Sequence, residues 1–118
     1  MNMTTKLQSC LDAFRTQVNS NRRMDTLLKG WDRDIMVEST AGEVMTMTVR
    51  SRQINALTKG AAGLGDVVHV RGDEAVLVDI FTGVMIPAKA YLDGVLEVFG
   101  SDKDMVKLDA ISMVLWGA

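Results

Sequence analysis

The chain has one cysteine, one histidine and one proline, and each of the first two scarcities closes off a class of function. With Cys10 alone no intrachain disulfide can form, which suits a reducing compartment better than a secreted scaffold. With His69 as the only histidine and no second cysteine, a structural metal site, which takes four ligands, has nothing to be built from. No Ser-His-Asp set, recognisable carboxylate pair or nucleotide fingerprint is present, so neither catalysis nor a metal or cofactor is expected. Charge of one sign is lacking too: 13 Lys and Arg are interspersed with 15 Asp and Glu, for a net charge of −2. A nucleic-acid module would show a basic face, so no nucleic-acid partner is expected. There is no apolar run of membrane-spanning length and no signal-peptide layout at the N-terminus. Leu115-Trp116-Gly117-Ala118 carries no peroxisomal tripeptide or prenylation box. The expected location is the cytoplasm, with at most transient membrane contact.

What is present is an ordinary globular composition, 47% apolar and 24% charged, in 118 residues. That length reads as one domain, 1–118, able to bury roughly two-thirds of its unfolded surface. Thr5-x-x-Gln8 reads as a capping box, in which hydroxyl and amide each satisfy a helix-end N–H. Behind it Leu7, Cys10, Leu11, Phe14 and Val18 form one helical stripe. Asn19-Ser20-Asn21 ends that helix and caps a short second one carrying Met24, Leu27 and Leu28, closed by Lys29-Gly30.

Strand patterns follow at Ile35–Glu38, at Glu43–Arg50 with Met45, Met47 and Val49 on one face, at Gln53–Thr58, and at Val67–Arg71. These four read as antiparallel neighbours, because no connection between them is long enough for a helical crossover. Asp73 caps a helix that is apolar nearly all round through Phe81, and Gly83 ends it. Pro87 opens a short helix through Ala90, Tyr91 and Leu92. Val95–Phe99 is a fifth strand, and Ser101 or Asp102 caps a last helix with Met105, Leu108, Ile111, Ser112 and Leu115 on one face. The order predicts an α+β fold, a mostly antiparallel five-stranded sheet with helices on one face.

The residues of chemical interest read quietly. His69 alternates out of phase with Val68 and Val70 and is expected to face away from the core. Cys10, on the apolar stripe, reads as a small buried hydrophobe. Gly60-Ala-Ala-Gly63-Leu-Gly65 resembles a phosphate loop only superficially, because a strand rather than a helix follows it. Arg50, Arg52 and Arg71 read as solvated charge, with contact to a phosphate at a cavity mouth as the alternative. Nine methionines suit either ordinary core filling or an adaptable pocket.

One stretch is more specific. Thr82-Gly83, Pro87, Ala90-Tyr91, Gly94, Leu96 with Val98, and Gly100 follow one another at ungapped spacing and resemble the signature of the sterol-carrier-protein type 2 family. The last helix fits through Met105, Lys107 and Leu108, and Leu27-Leu28-Lys29-Gly30-Trp31-Asp32 resembles the opening of compact stand-alone bacterial members. The resemblance covers roughly the C-terminal half closely and most of the rest in element order. It departs in lacking a peroxisomal address and in abbreviated strands between Gly42 and Gly65.

What the resemblance implies is a hydrophobic tunnel between sheet and helices and reversible, non-catalytic binding or transfer of a lipid. Fatty acid, acyl-CoA, sterol-like and quinone-like molecules all fall within that implication. The tunnel would be lined by Met45, Met47, Val68, Val70, Leu77, Phe81, Tyr91, Leu96, Val98, Met105 and Leu108, in a monomer or homodimer. The alternative is an accessory or scaffold subunit of a lipid or quinone pathway with its cavity reduced; a detached module of an enzyme is a third reading.

Overall fold

The computed structural model describes residues 5–61 and 66–117. Its elements are α1 (Lys6–Ser20), α2 (Met24–Leu27), β1 (Arg33–Ser39), β2 (Val44–Arg50), β3 (Gln53–Lys59), β4 (Val67–Gly72), α3 (Glu74–Phe81), α4 (Pro87–Leu92), β5 (Leu96–Phe99) and α5 (Asp102–Trp116). Each expected element is present. Thr5 caps α1 as expected, its hydroxyl accepting from the Gln8 N–H at 3.1 Å, but the reciprocal half of the capping box is missing. The Gln8 side-chain oxygen is buried and accepts no hydrogen bond among the described residues, while the Thr5 hydroxyl donates to the Glu43 carboxylate.

The sheet runs β3-β2-β1-β4-β5. Three of its pairings are antiparallel, but β1 and β4 are parallel, with Ile35 beside Val68 and Val37 beside Val70. This corrects the expectation of four antiparallel neighbours. The step from Lys59 to Val67 needs no helix to return the chain past β2 to the far side of β1. Eight residues of chain reach about 26–29 Å, against a lateral shift of roughly 14 Å across three strand spacings. Most of the glycine-rich segment 60–65 lies outside the described residues.

Period-two alternation gives the sheet one apolar face. Ile35 and Val37, Met45, Met47 and Val49, Val68 and Val70, and Leu96 are all buried on it. Over it lie the α1 stripe (Leu7, Cys10, Leu11, Phe14 and Val18), Leu77, Ile80 and Phe81 of α3, and Leu108 and Ile111 of α5. Phe14 meets Phe81 edge-on at 5.0 Å between ring centroids. Burial pushes the Cys10 thiol pKa up, in keeping with a packed hydrophobe. The opposite face of the sheet mixes charged groups with Met36, Val67 and Phe99. Here His69 Nε2 sits 2.7 Å from Glu38, Arg71 pairs with Glu38 and Glu97, and Arg50 pairs with the buried Asp34 at 3.1 Å. Two of the three arginines weighed for phosphate contact are therefore occupied on the side of the sheet away from the helices.

Candidate functional site

The space between the sheet and the later helices is where a tunnel is expected, and the structure has a small void there. Phe14, Val70, Ile80, Phe81, Pro87, Leu96, Leu108 and Ser112 border it, and its volume is about 10 Å³. That is room for about one water molecule, far below the roughly 300–1,000 Å³ of small-molecule sites. In this conformation the interior is closed.

Four expected lining residues, Val70, Phe81, Leu96 and Leu108, meet at this void. Met45, Met47, Val68 and Leu77 are buried in the same core without bordering it, and Val98 and Met105 are partly buried against that core. Tyr91 is placed differently, 46% exposed. Pro87 and Ala90 form the buried face of six-residue α4, and the roughly 100° helical step after Ala90 turns the tyrosine outward. Sequence reading missed Phe14, Ile80, Pro87 and Ser112 as wall residues. Phe14 was visible as an apolar stripe position, but nothing local indicates that α1 leans on α3.

Outside the void lies a groove of about 230 Å³ bordered by Gly83, Ile86, Asp109, Ser112, Met113 and Trp116. Ser112 of α5 borders both spaces. Two contacts hold this wall shut. The Asp109 carboxylate accepts from the Ala88 N–H at 3.2 Å, and the Trp116 ring lies against Gly83. Gly83 has φ +85°, and a Cβ there would overlap the indole, so both the backbone and the ring require glycine. The apolar part of the groove's rim is wet: Met113 is 57% exposed and Ile86 50%.

No protein-family model matches the sequence, and no curated protein matches it either. Solved structures do match. The sterol carrier protein domain 2 of Helicoverpa armigera aligns at TM-score 0.70 and 15% identity, covering 98% of this chain and 91% of that one. A structure titled as the UbiJ-SCP2 ubiquinone synthesis protein aligns at TM-score 0.68 and 15% identity, over 92% and 94% of the two chains. A double mutant of the sec-alkyl sulfatase PisA1 aligns at TM-score 0.70 and 16% identity, over 97% of this chain but 17% of the sulfatase. With near-complete coverage on both sides in the first two cases, the chain has the fold of sterol carrier protein 2.

Proposed function

We propose that this domain reversibly binds an apolar, lipid-like ligand by parting the C-terminal half of α5 from segment 82–88. The observation that carries this reading is Ser112, a small side chain of α5 that borders both the interior void and the surface groove. The fold supports it, as does the convergence of Val70, Phe81, Leu96 and Leu108 on the void. Burying roughly fifteen methylenes at about 0.8 kcal/mol each gives a gross gain near 12 kcal/mol. Association and ordering cost about 4–15 kcal/mol, and opening a closed core adds to that, so affinity no tighter than about micromolar and rapid exchange are expected. In this reading the protein is a non-catalytic cytoplasmic carrier.

Titration with fluorescent fatty-acid analogues tests the proposal. Saturable binding, displaced by an unlabelled long-chain lipid, is the expected outcome. Absence of saturable binding across fatty acids, acyl-CoAs, sterols and quinones would end it.

A second reading has its own support. A closed interior together with exposed Ile86 and Met113 on one groove fits an accessory subunit that docks through this surface rather than carrying a ligand. Native mass spectrometry of freshly purified protein separates the two: a co-purifying lipid favours the carrier, a ligand-free protein the accessory subunit.

A further inference from the structure

A second concavity, unrelated to the void, lies at the other end of α5. It is a cleft of about 570 Å³ between the α2–β1 connection and residues 102–110. Leu27, Trp31, Val106 and Ala110 supply its apolar surface, and Val106 is 67% exposed there.

Its walls are fixed to one another. The Asp104 carboxylate accepts from the Trp31 indole N–H at 2.8 Å and from Arg33 Nε at 3.2 Å, and Lys107 donates to the Leu27 carbonyl at 2.7 Å. Burial works to raise the Asp104 pKa, but the indole hydrogen bond, the Arg33 charge and the Ser101 backbone outweigh it and hold the group below the usual carboxylate range. The carboxylate is therefore ionised and spent inside the wall. With Arg33 paired to Asp104 and Asp66, Asp102 is the one other acidic lining residue, against Lys29, Lys103 and Lys107. Lys29 and Lys103 make no ion pair among the described residues. A chain of net charge −2 thus carries a locally cationic cleft, and the cleft's charge is of the sign that attracts anions.

We propose that this cleft binds a small anionic amphiphile, its apolar body on Leu27, Val106 and Ala110 and its carboxylate or phosphate met by Lys29 and Lys103. The volume lies within the range of small-molecule sites, and the pinned walls reduce the ordering cost of binding. The cleft is accessible with the interior closed.

Trp31 reports on the cleft, and Trp116, at the distant groove, is removed as Trp116→Phe. In that variant, decyl phosphate and decanoate below their micellar concentrations are expected to change Trp31 emission saturably. Decyltrimethylammonium, of the same chain and opposite charge, is expected not to. The Lys29→Gln/Lys103→Gln pair, both exposed, should weaken binding by about tenfold. Equal binding of the cationic probe, or unchanged affinity in the lysine variant, overturns the proposal. Amide NMR of the unsubstituted protein gives a second reading. Shifts centred on residues 29–31 and 103–110 support the cleft. Shifts centred on Phe14, Phe81 and Ser112 put the probe in the interior, overturning this proposal while leaving the carrier reading standing.

Discussion

The two ends of α5 are held by different physics. Near its start, Ser101 caps the Asp104 N–H, Asp104 binds Trp31 and Arg33, and Lys107 binds the Leu27 carbonyl. These are mostly charge-assisted, directional bonds, each worth about 1.5–3 kcal/mol where desolvated. Near its finish the helix makes one hydrogen bond to the rest of the fold among the described residues, from the Ala88 N–H to Asp109, and otherwise packs through apolar side chains: Ile111 in the core, and Trp116 against Gly83 and Phe14. Apolar contacts have no preferred direction and tolerate sliding, whereas a shifted ion-bearing hydrogen bond leaves a buried charge unpaired. From this mounting we infer a helix anchored near its start and more compliant near its finish, the part beside the void.

The largest expected effect breaks the anchored end. Asp104→Ala strands the Trp31 indole N–H and takes from Arg33 one of its two carboxylate partners, and should cost about 2–4 kcal/mol, measured by urea denaturation. Acid should act through the same group. Because its folded pKa is lowered, its contribution is complete above the ordinary carboxylate range and is lost as pH falls through the folded value. In Asp104→Asn this acid-dependent loss should disappear, which a pH series of denaturation midpoints would show; an unchanged pH profile would mean the carboxylate is not an anchor.

At the compliant end, Gly83→Ala meets both an unfavourable backbone conformation and the Trp116 ring, and should cost about 2 kcal/mol. Adding Trp116→Ala should return the steric half of that loss, so a double-mutant cycle reads the contact directly. Strict additivity would show that the indole does not hold the wall. The smallest effect is expected at Met113, exposed on the groove rim. Met113→Ser should change stability by less than about 0.5 kcal/mol while slowing uptake of a fatty-acid probe in stopped-flow fluorescence. Unaltered uptake would move the entrance away from this groove.

Much of the architecture was legible because its causes are local. The α1 stripe, Pro87 at the start of α4 and the Ser101 cap each depend on residues within a turn or two of one another. The β2–β3 hairpin was legible only as two strands. Its turn places Ser51 and Arg52 at φ 53° and 68°, without the Asn or Gly that normally announces such a loop. The candidate site was half legible: apolar positions on β4, α3, β5 and α5 were found, but Tyr91 was assigned inward from the family signature and faces out.

By itself the sequence determined the kind and order of the elements, the apolar face of the sheet and the absence of any assembled metal-binding set of histidines and cysteines, since these follow from spacing and composition. Tertiary structure alone decided the parallel β1–β4 pair, the closure of the interior and the partners of Asp104, which lie 73 and 71 residues away in Trp31 and Arg33. Periodicity says which side of an element turns inward. Which distant side chains meet there, and how much space they leave, depends on how the whole chain packs.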